Sequence, residues 1–295
     1  MAKGWDHNKG GRVAWVAWLA EILREALRTL KPGTAGFVWA LPRTSHWTAT
    51  ACEDAGFEVR DVVTHVQGQG FPKSRALLKP ATEHWILVRA PGALRPLRID
   101  DCRVSTAMSG KSTVATATGE VTTDGRWPAN FVMSHGEGCG DACEADCPVR
   151  LLGEQSGVQK DGVAVQRNRD GQIHNRIYGP HVKNPAPDVG YGGGGTAARF
   201  FPCFYQPKAS KRERGEGNTH NTVKPTALMR WLCRLITQPG GLVIDPFAGS
   251  GTTGVAALQE SLRFAGCERE AEYVEIAQMR MQGVGLAQGQ AAKIG

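Results

Sequence analysis

The chain has 295 residues, of which 41% are hydrophobic and 21% are charged, a composition that excludes wholesale disorder. Lysine and arginine exceed the acids by seven and the pI is about 9.1, which favours a polyanionic partner without excluding other basic proteins. No run of about 18 apolar residues occurs and the N-terminus lacks a signal peptide's pattern, so we expect a cytoplasmic protein without a membrane span.

Helical and extended patterns alternate along the chain up to about residue 90. This alternation predicts an α/β fold with a largely parallel sheet and helices packed on its faces. The predicted elements are helices from Gly11 to Leu30 and from about Arg43 to Ala55, and strands from Ala35 to Leu41, from Phe57 to Val66 and from His84 to Arg89.

Periodicity is lost between about residues 90 and 217, where glycine and polar residues separate short hydrophobic pieces. Because this stretch is too long for one loop of a compact domain, we interpret it as an inserted, partly irregular module. The predicted organisation is therefore a first part of the core at residues 1–90, an insertion at 91–217, a second part of the core at 218–282 and a flexible tail at 283–295.

Regular patterns return after the insertion. The predicted elements are helices from about Pro225 to Ile236, from the following glycine loop to about Leu258 and from Ala271 to Met281, and strands from Leu242 to Asp245 and from Arg263 to Glu268.

A glycine-containing loop follows the Leu242 strand and leads directly into a helix, with the sequence Asp245-Pro246-Phe247-Ala248-Gly249-Ser250-Gly251-Thr252-Thr253. A strand, a glycine turn and a helix N-terminus in this order are typical of a nucleoside-binding corner. Glu268 ends the next predicted strand, where a carboxylate can accept hydrogen bonds from both hydroxyls of a ribose. The alternative is a tight turn capped by Ser250 or Thr252, with Glu268 on the surface.

The same loop resembles the cofactor motif of DNA amino-methyltransferases that act on adenine N6 or cytosine N4, in the permuted arrangement that places this motif near the C-terminus. Thr222-Val223-Lys224-Pro225 resembles the family's element against the methionine end of S-adenosylmethionine, although His220-Asn221-Thr222 replaces the usual His-Pro-Thr. Further segments that resemble phage and bacterial members are Lys31-Pro32-Gly33, Arg43-Thr44-Ser45-His46-Trp47, Glu53-Asp54-Ala55-Gly56-Phe57 and Gly70-Phe71-Pro72-Lys73-Ser74.

The resemblance implies a Rossmann-like methyltransferase sheet with helices on both faces, interrupted by a target-recognition insertion. It implies site-specific methyl transfer from S-adenosylmethionine to an exocyclic amine of double-stranded DNA, with adenine N6 favoured over cytosine N4. RNA or a small molecule is the disfavoured substrate, and a dimeric assembly stays open. The implied cofactor-binding residues are Asp245, Pro246, Phe247, Ala248, Gly249, Ser250, Gly251, Thr252, Glu268, Thr222, Lys224 and Pro225.

The family's catalytic tetrapeptide, Asp-, Asn- or Ser-Pro-Pro-Tyr or a close variant, does not occur in these 295 residues. In the family it holds the amine of a flipped-out base while its aromatic ring stacks on that base. We therefore predict no catalytic residue, and the competing hypothesis is a noncatalytic remnant that binds DNA or cofactor. Met1 falls where relatives carry an internal residue, so we expect a misplaced start codon or a truncated gene.

The strand that bears the tetrapeptide lies, in this family, between the strand ending at Asp245 and the strand from Ala35 to Leu41. Without it, two half-sheets must pair directly or leave open edges. We expect poor solubility or weak cofactor binding as a result.

A histidine and three cysteines, His135, Cys139, Cys143 and Cys147, are spaced four apart in a glycine-rich segment, so a loop at residues 135–147 could wrap them around a zinc ion. The usual two-residue gap between paired cysteines is absent, and the alternative is a reduced cysteine-rich loop. The remaining five cysteines, predicted to be buried free thiols, are Cys52, Cys102, Cys203, Cys233 and Cys267.

Basic residues in the insertion could contact DNA phosphates, although each one alone is equally typical of a solvated surface. We also consider Lys73, Ser74 and Arg43 as candidates for contacts to DNA, with a plain surface loop as the alternative for Lys73 and Ser74. The basic residues of the insertion are Arg126, Arg150, Arg167, Arg169, Arg176, Lys183 and the run at residues 208–214.

Overall fold

A computed structural model describes residues 10–67, 75–76, 78–104, 112–116, 119–123, 125–136, 138–160, 194–205, 209–288 and 292–294. The helices are α1 (Arg12–Thr29), α2 (Ser45–Asp54), α3 (Pro148–Ser156), α4 (Lys211–Arg214), α5 (Thr226–Ile236), α6 (Thr252–Gln259) and α7 (Ala271–Gln288). The strands are β1 (Ala35–Ala40), β2 (Glu58–Val66), β3 (Thr82–Arg89), β4 (Ser112–Thr116), β5 (Gly119–Thr123), β6 (Phe131–Ser134), β7 (Gln159–Lys160), β8 (Gly194–Gly195), β9 (Cys203–Phe204), β10 (Leu242–Asp245), β11 (Arg263–Gly266) and β12 (Ala292–Ile294).

The larger sheet has five strands in the order β1-β3-β2-β6-β9. The prediction of a largely parallel first half is wrong, because β3 runs antiparallel to both β1 and β2. The sequence between β2 and β3 contains glycine and proline without helical spacing, which is not the pattern of the crossover helix that parallel neighbours need. The parallel pairs of this sheet are β2 with β6 and β6 with β9.

Helices cover both faces of the larger sheet, as predicted. Trp85 and Ile86 are neighbours on β3 and point to opposite faces, which is the alternation of a strand buried on both sides. Ile86 belongs to the core formed with α1 and α2, whereas Trp85 belongs to the core formed with α5. The predicted α/β fold is confirmed.

The smaller sheet consists of β10, β11 and β12, all parallel. Its core is formed by apolar residues of β10 and β11 that pack against α6 and α7. In the part of the chain that the structure describes, β1 and β10 form no strand pair with each other, which is the second of the two outcomes left open, direct pairing or open edges.

Helix α5 joins the two sheets. Leu228 and Trp231 pack into the core beside β3, whereas Cys233 packs with Val243 of β10. The helix can contact both because its apolar residues form one wide face, with Arg230 and Arg234 outside it. The packing of this helix therefore contributes to the relative position of the two sheets, together with the contact of Trp18 on α1 with Phe247 after β10.

The insertion is less separate from the core than we expected, because β6 and β9 extend the larger sheet. The last helix is longer than predicted and continues past Met281 to Gln288, even though Gly283 and Gly285 interrupt its pattern. None of the helices within the described ranges combines the length and apolarity that crossing a membrane requires.

The predicted burial of the five single cysteines holds for Cys52, Cys102 and Cys233. Cys203 is half-buried, and the prediction is wrong for Cys267, whose side chain is exposed. Cys267 follows the last residue of β11 and lies outside the packed strand, which explains its exposure.

Candidate functional site

A cavity of about 630 Å³ lies between the two sheets, and we call it the intersheet cavity. One wall is β1 with Thr34, and the opposite wall is β10. The loop at residues 246–251, here called the glycine loop, borders it together with His220 and Lys224. The volume is within the range of small-molecule sites, and the combination of apolar walls with a few polar groups at one end is also typical of them.

Asp245 fixes the start of the glycine loop. Its Oδ1 accepts a hydrogen bond from the backbone N–H of Phe247 at 2.9 Å, and its Oδ2 accepts one from the Thr253 hydroxyl at 2.6 Å. Burial raises the pKa of the Asp245 carboxyl, although these two hydrogen bonds lower it. The side chain that ends β10 therefore ties the loop to the first turn of α6.

The two glycines of the loop occupy positions that reject a side chain. Gly249 has φ +53°, and a Cβ there would lie 2.8 Å from Nε2 of His220. Gly251 has φ +78°, and its Cβ would lie 2.7 Å from Cβ of Ala277. Residues other than glycine rarely adopt such positive φ angles, so both glycines are required for this loop conformation.

Glu268 lies against the same loop. Its Oε2 accepts a hydrogen bond from the Gly249 N–H at 2.8 Å, and its Oε1 accepts one from the Glu270 N–H at 3.0 Å. Strand β11 ends at Gly266, two residues earlier than we predicted, and Glu268 reaches the loop from the turn that follows. A carboxylate oxygen can accept more than one hydrogen bond, so Glu268 can also serve a bound hydroxyl.

Arg280 of α7 holds the loop from its other side. Its Nη1 donates to the Oγ of Ser250 and to the Oγ1 of Thr252, both at 3.1 Å, and its Nη2 donates to the Glu213 carbonyl at 2.8 Å. The hydroxyls of Ser250 and Thr252 are therefore used within the protein. Sequence reasoning missed Arg280, because nothing in the local pattern of α7 marks it.

Lys224 connects the intersheet cavity to a buried polar network. Its ammonium lies 2.9 Å from Oε1 of Glu83 and 4.2 Å from the centroid of the Trp39 ring. His65 lies beyond Glu83, with Nδ1 3.6 Å from Oε2 of Glu83 and Nε2 2.8 Å from Oγ of Ser134. Sequence reasoning missed these partners, which are far from Lys224 in the chain.

Most of the predicted cofactor residues meet at the intersheet cavity. Gly251, Pro225 and Glu268 do not line it, since Gly251 precedes α6, Pro225 is buried before α5, and Glu268 acts through the backbone of Gly249. The predicted residues that line the cavity are Thr222, Lys224, Asp245, Pro246, Phe247, Ala248, Gly249, Ser250 and Thr252.

The predicted DNA contacts are distributed differently. Arg43 is exposed in a short 3-10 turn after β1, and Lys73 and Ser74 lie outside the described residues. Arg126 is buried with its guanidinium 4.9 Å from the Phe200 ring centroid, so its prediction as a phosphate contact is wrong. Arg150 is more exposed and pairs with Glu154 at 2.6 Å.

Comparison with known proteins identifies a family model. A model of DNA methylases, N6_N4_Mtase, matches residues 3–279. Type II methyltransferase M.Cfr9I from Citrobacter freundii is 47% identical over 64 residues, which are 22% of this chain and 21% of that relative. The curated match therefore spans about a fifth of the relative's length.

Solved structures of similar shape are more distant in sequence. The cytosine-N4-specific PvuII DNA methyltransferase has a TM-score of 0.49 and 14% identity, over 96% of this chain and 80% of that one. The M1.HpyAVI–SAM complex has a TM-score of 0.46 and 17% identity, over 90% and 81% of the two chains.

We expect Glu83→Gln to destabilise the protein at neutral pH. Burial raises the pKa of Glu83, but the contacts of its carboxylate with His65 and Lys224 lower the pKa by more. The net effect lowers the pKa from 4.5 to about 2. A carboxyl whose pKa is lower in the folded state stabilises the folded protein at pH values above its pKa in the unfolded state. This stabilisation is lost as the pH falls from about 4.5 towards about 2. The loss at pH 7 should be about 2 kcal/mol in the free energy of unfolding.

Urea denaturation of both proteins at two pH values tests this expectation. The free energy of unfolding should differ between wild type and Glu83→Gln by about 1 kcal/mol less at pH 3.5 than at pH 7. Glu275→Gln, which changes an exposed carboxylate of α7, serves as the control and should change stability little at either pH. A difference for Glu83→Gln that does not vary with pH would contradict the role of its charge.

Proposed function

From the premise that this chain belongs to the N6_N4_Mtase family of DNA methylases, we propose that it acts in site-specific methylation of double-stranded DNA with S-adenosylmethionine as cofactor. The methyl group goes to an exocyclic base amine, with adenine N6 favoured over cytosine N4. The observation that carries the proposal is the intersheet cavity, where the glycine loop and Lys224 border one continuous space.

The residues of this cavity suit a ligand with an adenosine and an amino-acid end. Gly249 is buried and leaves room for the His220 imidazole, which lines the cavity. Glu268, which accepts the Gly249 N–H, can also accept hydrogen bonds from ribose hydroxyls. Phe247, with 47% of its surface exposed, offers an aromatic face at the same border. Lys224 and Thr222 border the region that we assign to the methionine end.

S-adenosylmethionine, when bound, would supply an electrophilic methyl group. The protein itself holds the cofactor and excludes water with the apolar walls of β1 and β10. Asp245, Glu268 and Arg280 keep the glycine loop rigid through their hydrogen bonds. The amine of the base attacks directly, so no cysteine nucleophile is needed.

We assign DNA contact to the insertion at residues 91–217 and to exposed cations around the cavity. The net charge of +7 favours phosphate contact, and Arg43 is exposed at the end of β1, beside one wall of the cavity. We keep Lys73 and Ser74 as proposed contacts on the strength of the sequence.

A second candidate function is binding of cofactor or DNA without turnover. The separation of β1 from β10 favours it, because the family's tetrapeptide belongs on a strand between them and does not occur in these 295 residues. Under this proposal, transfer needs a strand with the polar–Pro–Pro–aromatic sequence to enter the space between the two sheets.

Cofactor binding is tested by titration calorimetry with S-adenosylmethionine. We expect Glu268→Gln to raise the Kd at least about tenfold, because an amide offers one acceptor oxygen where the carboxylate offers two. Glu275→Gln removes the same charge from an exposed position outside the cavity lining and should leave the Kd within about twofold. Equal affinities for wild type and Glu268→Gln, with both proteins folded, would exclude the proposed ribose contact.

Turnover is tested with methyl-labelled S-adenosylmethionine and unmethylated bacterial genomic DNA, which presents many short recognition sequences at once. Label in the DNA, recovered as N6-methyladenine or N4-methylcytosine after digestion, would eliminate the noncatalytic candidate. Cofactor binding without any transferred label would eliminate turnover by these 295 residues alone. The modified base also decides between adenine and cytosine.

A further inference from the structure

Four metal-ligand side chains converge at the end of β6. The ligand atoms of His135, Cys139, Cys143 and Cys147 all lie within 4.8 Å of one another. Nδ1 of His135 is 3.3 Å from the Cys143 sulfur and 3.5 Å from the Cys147 sulfur. In a tetrahedral zinc site with bonds of about 2.1 Å to nitrogen and about 2.3 Å to sulfur, two such ligands are about 3.6 Å apart.

A hydrogen bond between thiol and imidazole explains this arrangement less well. Nδ1 of His135 offers either one proton or one lone pair, so a well-formed hydrogen bond accounts for one of the two sulfur contacts. A shared cation between nitrogen and sulfurs accounts for both contacts and for the position of Cys139 as well.

Regular structure holds two of the four ligands. The backbone N–H of His135 donates to the Phe204 carbonyl at 2.8 Å, and the imidazole stacks on Tyr205 with 4.4 Å between ring centroids. Cys147 is the residue immediately before α3, which begins with Pro148. The ligands at the two ends of the segment are therefore fixed to a sheet and to a helix.

One of the sulfurs accepts a hydrogen bond from the backbone. The Glu144 N–H donates to the Cys139 sulfur at 3.3 Å, and a hydrogen bond of this kind favours a thiolate over a thiol.

The packing around the cluster is thin. Among the residues that the structure describes, its core has three buried members, Met133, Cys147 and Val149, with half-buried neighbours around them. A small unit with so little apolar burial commonly depends on a metal or another cross-link for its stability.

We propose that His135, Cys139, Cys143 and Cys147 bind one zinc ion through three thiolates and the neutral imidazole Nδ1. Each of the three thiols gives its proton to solvent on binding, and no electron is transferred. Four protein ligands complete a tetrahedral sphere, which is the arrangement of structural rather than catalytic zinc sites. The ion would fasten α3 and the loop before it to β6, and this role does not depend on the proposed methyl transfer.

The metal content of the full chain provides the test. Protein produced in zinc-supplemented medium and desalted should retain about one zinc per chain by inductively coupled plasma mass spectrometry. Cys143→Ser should lower the retained zinc at least about fivefold, because a hydroxyl is a much poorer zinc ligand than a thiolate. Cys267→Ser removes an exposed cysteine outside the cluster and should retain the wild-type amount.

Conservative variants separate metal binding from a merely structural role of these side chains. His135→Cys and Cys143→His each preserve four zinc ligands and should retain about one zinc, whereas His135→Ala should not. Wild-type protein loaded with cobalt should show thiolate-to-metal charge-transfer absorption and the intense visible bands of tetrahedral cobalt, a readout that needs no variant to fold.

Three results would each overturn the proposal. They are wild-type protein without zinc after supplemented growth, full zinc retention by Cys143→Ser, and a disulfide among the three cysteines in protein whose thiols were blocked at lysis.

Discussion

The ion pair between Lys224 and Glu83 fastens the start of α5 to the larger of two sheets that share no strand pairing in the described ranges. Lys224 precedes the helix that packs on both sheets, and Glu83 lies near the start of β3 in the larger one. Leu228 and Trp231 contact the larger sheet, and Cys233 contacts the smaller. The width of the intersheet cavity therefore depends on side-chain packing rather than on a continuous ladder of backbone hydrogen bonds.

In the candidate site, the side chains that determine the shape of the glycine loop differ from the groups that a ligand can contact. Asp245, Glu268 and Arg280 use hydrogen bonds to the loop itself, so they determine its shape. The exposed ring of Phe247, the His220 imidazole and the ammonium of Lys224 remain as the surfaces that a ligand can contact. A loop held by three side chains beside a cavity between two sheets is suited to a site where cofactor and a flipped base must be brought together.

Local sequence patterns predicted the parts of the structure that depend on local physics. Strand β10 has the predicted bounds, and α5 and α6 begin and end within a residue or two of them, because apolar periodicity and glycine determine these elements. The even spacing of His135, Cys139, Cys143 and Cys147 likewise indicated that a loop could gather them, and the structure brings them together. Whether the loop binds zinc remains a prediction.

Long-range contacts explain most of what the sequence did not reveal. The direction of β3 depends on the two strands between which it lies, and the Glu83–His65 network and Arg280 depend on partners distant in the chain. Arg126 was expected on the surface because arginine usually is, but Phe200 offers its guanidinium a buried aromatic face. No local pattern encodes these pairings.

The claim that the cofactor binds between the two sheets is tested most directly by backbone hydrogen exchange with and without S-adenosylmethionine. Binding should slow exchange in the glycine loop at residues 246–251 and at the cavity wall formed by β1 (Ala35–Ala40), while α3 (Pro148–Ser156) stays unchanged. Protection confined to other segments, or none at saturating cofactor, would contradict the account.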